Sequence, residues 1–175
     1  MRLFVAITLS DEMKDALIAA QNELFDRGVR GNFSPEENLH LTLAFIGDYP
    51  EAGPVLDAME ELSFTPFELC LEGMGCFGEL WWAGVRESAP LLSVARRLRR
   101  VLAEHEIPFD RKRFSPHVTL IRKASGKPAG VRVPPVSMTV TAVTLMRSDR
   151  GRSGMIYTEL GAREALAAEE QGGAE

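Results

Sequence analysis

Cysteine and histidine are both scarce in this chain of 175 residues, which holds two of the first and three of the second. With two cysteines and no recognisable export signal, reduced buried thiols are favoured over a disulfide between Cys70 and Cys76. No apolar run approaches the roughly 20 residues that a membrane-spanning helix needs, and the opening run at residues 1–7 is too short for a secretory signal. The sequence therefore predicts a cytoplasmic protein with no membrane anchor.

Positive charge is not in excess either, since 20 lysines and arginines face 25 acidic residues for a net charge of -5. This balance argues against a broad nonspecific nucleic-acid surface, so any contact with nucleic acid should be local. A hydrophobic content of 45% is enough for one compact core. We expect a single domain over residues 1–161, and a short helical or disordered tail over residues 162–175, which are rich in Ala, Glu and Gly.

A short phrase occurs twice, as residues 40–43 (His-Leu-Thr-Leu) and residues 117–120 (His-Val-Thr-Leu). A given histidine is followed by Thr and Leu at these offsets with odds on the order of one in a few hundred. A Phe-Ser-Pro tripeptide also precedes each phrase, at residues 33–35 and 114–116. The repetition predicts two related halves.

Each phrase is typical of a half-buried β-strand, in which alternate side chains point to opposite faces. His40 and Thr42 then share one face, and His117 and Thr119 share the equivalent face of the second strand. The leucines and valine between them face the core.

The remaining pattern mixes strand–helix units with hairpins, which favours an α+β fold over a wholly parallel sheet. Helices are predicted after Ser10, around Val55–Leu62, and from Pro90 through Leu102, the third corresponding to the first. Strands are predicted at 3–9, 39–46, 66–72, 80–86, 116–122, 136–147 and 155–160. The expected architecture is bilobal, with two mostly antiparallel sheets and outer helices around a central cleft where the two His strands face each other.

Two histidines on rigid strands suit proton transfer near pH 7, because an unperturbed imidazole titrates at about 6.5. One ring can accept a proton while the other donates one. A threonine hydroxyl on the same face as each ring can hydrogen-bond an anionic oxygen, so the pattern predicts displacement at a phosphorus held between His40 and His117.

The doubled phrase resembles the motif of the two-histidine phosphoesterases and, more narrowly, of the prokaryotic RNA 2′,3′-cyclic phosphodiesterases historically called 2′-5′ RNA ligases. The similarity covers residues 1–161, including the opening Met-Arg-Leu-Phe-Val-Ala-Ile strand, the adjacent tryptophans, and the segments at 145–148 and Tyr157. It implies metal-independent and cofactor-independent opening of a 2′,3′-cyclic phosphate on RNA to a 2′-phosphate, with 2′-5′ ligation as the reverse reaction. It also implies one histidine as general base and the other as general acid, with Thr42 and Thr119 as phosphate ligands. We assign the base role to His117 and the acid role to His40, although the symmetry of the two phrases makes this assignment nearly reversible.

Other residues are secondary candidates for the same site. Arg122 is a candidate phosphate ligand, although strict alternation places it on the face opposite His117 unless a bulge or a strand end intervenes. Arg113, with its neighbour Lys112, is another. Four aromatic residues are candidates for stacking a base. They are Trp81, Trp82, Phe114 and Tyr157.

The third histidine, His105, lacks the Thr-Leu partner and is expected at a helix end or on the surface. Several functions remain open beside RNA-end hydrolysis by a monomer. The substrate could be a small cyclic nucleotide, or the chain could be a noncatalytic RNA-end-binding module. A metal site using His40, His117 and a cysteine is a further alternative, but these residues lack the close spacing that is usual for metal ligands.

Overall fold

A computed structural model describes residues 1–128 and 130–167 of the chain. Its three α-helices are α1 (Asp11–Asp26), α2 (Gly53–Glu60) and α3 (Ala89–Glu104). The strands are β1 (Arg2–Thr8), β2 (Arg30–Phe33), β3 (His40–Asp48), β4 (Phe67–Phe77), β5 (Leu80–Val85), β6 (His117–Ser125), β7 (Ser137–Val140), β8 (Ala142–Gly151) and β9 (Gly154–Glu164).

The strands form two antiparallel sheets, one of four strands in the order β3-β1-β8-β9 and one of five in the order β2-β6-β5-β4-β7. The helices pack on the outside of these sheets, and the apolar side chains between them form one large core. The predicted α+β class with two mostly antiparallel sheets is confirmed.

The two sheets repeat one plan. In each, a strand and a helix lead into the strand that begins at a phrase histidine, as β1-α1-β3 in the first sheet and β5-α3-β6 in the second. Ser10 and Ser88 cap the two helices, their hydroxyls accepting hydrogen bonds from backbone N–H groups three residues on. Strand β2 lies outside the repeat, at the free edge of β6.

The ends of α1 and α3 show the same correspondence. Gly28 and Glu106 both follow the helix with a positive φ, of 94° and 58°. The amides of the next residues, Val29 and Ile107, donate back to carbonyls five residues earlier. Counted from these helix ends, Ser34 corresponds to Lys112 rather than to Ser115. The two Phe-Ser-Pro tripeptides therefore do not occupy equivalent places, although the halves they pointed to are real.

Each repeated helix also contacts the His strand of the other half, α1 against β6 and α3 against β3. The apolar stripes predicted for them are buried in full. They are Met13, Ala16, Leu17, Ala20 and Leu24 in α1, and Leu91, Val94, Ala95, Leu98, Val101 and Leu102 in α3. This exchange joins the two halves through one core, and β3 and β6 come into contact.

Two predicted boundaries are wrong, one drawn from alternation and one from composition. The stretch from Val136 to Arg147 is two strands, since Val140 pairs with Phe67 of the second sheet and Ala142 with Glu164 of the first. The chain therefore crosses between sheets at Thr141, which alternation cannot register. The expected tail also begins too early, because β9 continues to Glu164, and residues 168–175 lie outside the described part.

Some of the smaller predictions are confirmed and others are wrong. Strand β2 was not predicted, and the glycine-rich segment at 73–78 belongs largely to β4 instead of separating two strands. Both cysteines are free, as expected, but Cys76 is exposed. Within the described residues, no helix is long and apolar enough to cross a membrane.

Candidate active site

The two histidine phrases lie at the starts of β3 and β6, with the alternation that the sequence predicts. His40 and Thr42 are half-buried on one face, while Leu41 and Leu43 are fully buried on the other. His117 and Thr119 show the same pattern against Val118 and Leu120. Because β3 and β6 are in contact, the two half-buried faces border one cleft.

Backbone carbonyls orient both imidazole rings in the same way. His40 Nδ1 lies 2.7 Å from the Asn38 carbonyl oxygen, and His117 Nδ1 lies 2.7 Å from the Ser115 carbonyl oxygen. A carbonyl only accepts hydrogen bonds, so each Nδ1 carries a proton and donates it. The Nε2 atom of each ring is then the one left to exchange a proton with a ligand.

The His40 ring has a further partner and a perturbed titration. Its Nε2 lies 2.9 Å from Thr42 Oγ1, so the hydroxyl donates to the ring when that nitrogen is unprotonated. Burial lowers the pKa of His40 below the ordinary value of 6.5, and the positive charges of Arg122 and of protonated His117 lower it further, against the Asn38 carbonyl, which raises it. The interaction with Arg122 and His117 shows that all three groups share one electrostatic environment.

A bulge interrupts each His strand at the same place in its phrase. In β3, Thr42 and Ala44 pair with the consecutive residues Ala6 and Val5, which leaves Leu43 as the extra residue. In β6, Thr119 and Ile121 pair with Trp82 and Trp81, which leaves Leu120.

The bulges reverse the alternation beyond the phrase. Leu43 and Ala44 are consecutive buried residues, as are Leu120 and Ile121. Residues 45 and 122 consequently turn to the histidine face, where Arg122 lines the cleft beside His40. The sequence predicted that Arg122 would face the site only if a bulge or a strand end intervened. The bulge at Leu120 meets this condition.

A polar side chain from each repeated helix holds the carbonyl of the bulge residue. Gln21 Nε2 donates to the carbonyls of Leu120 (3.0 Å) and Ser34 (2.9 Å). Arg99 donates to the carbonyls of Leu43 (3.4 Å) and Lys112 (2.8 Å).

Gln21 and Arg99 are equivalent in the repeat, because each lies eleven residues after the serine that caps its helix, at 10 to 21 and 88 to 99. Their charges and lengths differ, but both donate to the carbonyl of the bulge residue, and the Leu120 carbonyl also accepts from the Ser34 backbone N–H at 2.9 Å. Both His phrases are thus fixed from the helix side by the same device.

Aromatic side chains surround both rings. The ring centroids of Phe4 and Tyr157 lie 4.9 and 5.2 Å from that of His40. Those of Phe77 and Trp82 lie 5.3 and 6.1 Å from that of His117.

The adjacent tryptophans separate as their strand predicts. Trp81 is buried in the core, and Trp82 lies on the histidine side. The Trp82 ring crosses Gly75 so closely that a Cβ there would lie 2.4 Å from it, which explains the glycine. Its Nε1 is buried and has no hydrogen-bond partner among the described residues.

Two adjoining cavities open beside His40. The first, of about 470 Å³, is lined by Asn32, Phe33, Ser34, Pro35, Asn38, His40, Thr119, Arg122, Ser153, Gly154, Met155 and Tyr157. The second, of about 520 Å³, is lined by Arg2, Phe4, His40, Thr42, Phe45, Arg122, Ser148, Arg150, Met155 and Tyr157. Residues of both His strands therefore line a continuous space, and Tyr157 has access to it.

Three candidates from the sequence lie elsewhere. Arg113 and Lys112 are exposed and line neither cavity. Phe114 packs against the core, with the Arg99 guanidinium carbon 5.7 Å from its ring centroid, so its position assigns it to packing. His105 caps the end of α3 and contacts Glu61, as expected of a histidine outside the phrases.

Sequence reasoning missed several residues that border the site, namely Arg2, Phe4, Gln21, Phe45, Phe77, Arg99 and Arg150. Aligning the two helices on their capping serines would have paired Gln21 with Arg99. Alternation along β1 would have placed Arg2 and Phe4 on one face. Among residues 1–128 and 130–167, no three His, Cys, Asp or Glu side chains are grouped to hold a metal ion.

Comparison with known proteins gives one consistent result. The 2′-5′ RNA ligase superfamily matches residues 9–152. The chain is 35% identical to the RNA 2′,3′-cyclic phosphodiesterase of Thermus thermophilus over 91% of its own length and 88% of the relative's. It is 33% identical to the enzyme of that name from Geobacillus stearothermophilus over 80% of its length, but that match spans about half of the relative.

The fold agrees with the crystal structure of Escherichia coli LigT in its apo form. The TM-score is 0.79 at 30% sequence identity, over 95% of this chain and 98% of LigT. The match over residues 9–152, the 35% identity to the Thermus thermophilus relative and the shared fold lead to one conclusion: the chain belongs to the 2′-5′ RNA ligase superfamily.

Proposed function

We propose that this protein hydrolyses the 2′,3′-cyclic phosphate at the end of an RNA strand to a 2′-phosphate. The observation that carries the proposal is the pair of His-x-Thr phrases with identical ring orientation, both Nε2 atoms being free of the carbonyls that hold Nδ1. Such a pair supplies one proton acceptor and one proton donor on opposite sides of a phosphorus atom.

The reaction needs no other proton carrier. A water molecule loses a proton to one imidazole as its oxygen bonds to phosphorus. The bond between phosphorus and the ribose O3′ breaks, and the other imidazolium gives its proton to O3′. Thr42, Thr119 and Arg122 hydrogen-bond the nonbridging oxygens, where negative charge develops. The net change is one water consumed and one phosphodiester bond opened.

We assign the base role to His117 and the acid role to His40. The lowered pKa of His40 favours the neutral ring in the unliganded protein, which opposes an acid role at that stage. A bound phosphodiester carries a negative charge beside His40 and stabilises its protonated form. Substrate binding therefore favours protonation of His40, which then delivers that proton to O3′.

The relatives support this reaction class. Those from Thermus thermophilus and Geobacillus stearothermophilus carry the name of RNA 2′,3′-cyclic phosphodiesterase. LigT has been crystallised with phosphate and with 3′-AMP. The same site would run 2′-5′ ligation in reverse, with the two histidines exchanging roles. Because one chain provides both histidines and both cavities, we propose that it works as a monomer, on RNA ends in the cytoplasm.

The test is turnover of an oligonucleotide ending in a 2′,3′-cyclic phosphate, with EDTA present and the product identified by phosphorus NMR. We expect a 2′-phosphate, and we expect His40→Ala and His117→Ala each to lower kcat by about a hundredfold or more. His105→Ala is the matched control, since His105 lies at a helix end, and it should keep the wild-type rate. Full activity in either phrase variant, or a 3′-phosphate product, would reject the proposal.

A further inference from the structure

Three arginines line the second cavity, and no carboxylate does. Arg2, Arg122 and Arg150 are exposed and form no ion pair with any described residue. In a chain with a net charge of -5, three converging guanidinium groups without a counter-charge are an unfavourable arrangement. An anion in this cavity would relieve their mutual repulsion.

Strand pairing places Arg2 and Arg150 on the same face of the first sheet. Arg2 pairs across β1 and β8 with Ser148, and Arg150 follows Ser148 by two residues, so Arg150 lies on the Ser148 face of the sheet. The Arg2 guanidinium carbon lies 5.0 Å from the centroid of the Phe45 ring, a cation–π contact that holds this side chain over the cavity. Both arginines therefore project from hydrogen-bonded strands.

The reacting phosphate does not account for Arg2 and Arg150. That phosphate must reach both histidines, whereas β6 contributes to this cavity only Arg122, which lies five residues beyond His117. Arg2 and Arg150 are grouped with His40, and of the histidine face of β6 only Arg122 reaches their cavity, whereas His117 and Thr119 do not line it. They are placed for a second anion, next to the reacting one and on the His40 side.

The first cavity has a different chemistry. Asn32 and Asn38 offer amide groups, and Phe33, Pro35 and Tyr157 offer apolar or aromatic surface. This combination suits a nucleobase, which needs hydrogen bonds at its edge and stacking on its faces. The two cavities meet at His40, Arg122, Met155 and Tyr157.

We infer that Arg2 and Arg150 bind the phosphodiester immediately upstream of the reacting cyclic phosphate, while the first cavity takes the terminal nucleobase. This inference rests on the proposed function and adds to it a binding contact with the RNA strand upstream of the reacting end. A cyclic mononucleotide lacks the upstream phosphate and leaves the arginines unoccupied.

The test compares 2′,3′-cyclic AMP with an RNA trinucleotide ending in a 2′,3′-cyclic phosphate. For Arg150→Gln and for Arg2→Gln we expect kcat/KM on the trinucleotide to fall by about tenfold or more, since one charged phosphate contact is lost. On the cyclic mononucleotide it should stay within about twofold. The plot of log kcat/KM against log salt for the trinucleotide should become shallower by about 0.7 for each contact removed.

Arg100→Gln is the control, because it removes the same charge from an exposed position on α3. It should leave both substrates unaffected. Equal losses of kcat/KM on the two substrates would show that the arginines bind the reacting phosphate. Unchanged kcat/KM on the trinucleotide would show that they bind no upstream phosphate. Either result overturns the inference.

Failure of the proposed function is distinguishable from failure of the inference. If the wild type turned over neither cyclic substrate, the reaction would be rejected while the subsite stayed testable by binding. In that case a labelled RNA trinucleotide should still bind the wild type more tightly than Arg150→Gln, and a mononucleotide should bind both equally. Equal trinucleotide affinities would reject the subsite independently of catalysis.

Discussion

The His40 half and the His117 half share a backbone frame and differ in the side chains placed on it. Each ring donates to a carbonyl two residues earlier, each phrase ends at a bulged leucine, and each bulge carbonyl is held by a helix side chain. The equivalent positions after the bulge differ, however, with Phe45 in one half and Arg122 in the other. The helix anchors also differ, as Gln21 and Arg99.

The comparison separates the features that both halves share from those that only one half has. Ring orientation and bulge geometry are duplicated, as the proposed reaction needs if both histidines present Nε2 to the same phosphorus. At these equivalent positions only the His117 half carries a positive charge, that of Arg122. Burial is the main cause of the lowered pKa of His40, and Arg122 lowers it further from across the cleft. The symmetric frame therefore carries different side chains around its two histidines, and the proposed acid–base reaction gives the two rings different roles.

The largest expected effect comes from a substrate that needs no general acid, because it separates the proposed role of His40 from that of His117. A substrate with sulfur in place of the leaving O3′ expels a thiolate, which departs without being protonated. We expect His40→Ala, slowed by about a hundredfold or more on the oxygen substrate, to recover most of its rate on the sulfur substrate. His117→Ala should stay slow on both. Recovery by His117→Ala instead would exchange the two roles, and recovery by neither variant would reject the assignment.

A second prediction concerns the helix anchors. Gln21→Leu keeps the side-chain volume but leaves the carbonyls of Leu120 and Ser34 without their side-chain donor. We expect the free energy of unfolding to fall by about 2 kcal/mol. Because the β6 bulge positions Thr119 and Arg122, kcat should fall by about tenfold with little change in KM.

Destabilisation alone must be separated from this positioning effect. Met59→Ala on α2 removes a fully buried side chain away from the His phrases and should cost about 2 kcal/mol or more, with kcat unchanged when measured well below the melting temperature. Asn22→Ala, next to Gln21 on the exposed face, should change neither quantity. A Gln21→Leu variant that is destabilised but has wild-type kcat would show that the anchor acts on folding only.

The smallest expected effect is on titration. Arg122→Gln removes a positive charge that opposes protonation of His40, so the pKa of His40 should rise towards its ordinary value. Imidazole resonances followed by NMR against pH would measure the change, with Arg113→Gln as the control, since Arg113 lines neither cavity. An unchanged or lower pKa in Arg122→Gln would show that the two halves are not coupled through this charge.

Much of the site could be predicted from local pattern. Period-two alternation placed His40 with Thr42 and His117 with Thr119, and helical spacing identified both buried stripes, because burial of apolar side chains follows the local geometry. The same alternation missed the break at Thr141, since it reports which face is buried and not which strand lies alongside. Composition placed the start of the tail too early, since an Ala- and Glu-rich sequence does not show that β8 pairs with it up to Glu164. The sequence predicted Arg122 in the site only if a bulge interrupted its strand. The positions of the bulges in β3 and β6 depend on how these strands pair with β1 and β5.

The duplicated phrases, the α+β class and the candidate histidines could be predicted without the structure, because they depend on residue type and spacing along the chain. The structure was needed to show that Gln21 and Arg99 are anchors, that Phe77 lies beside His117, and that Arg2 and Arg150 join Arg122 in one cavity. These groups are far apart in sequence and meet through strand register and the packing of each helix on the other half. Contacts of that kind have no local signal, since either partner alone reads as an ordinary polar or apolar surface residue.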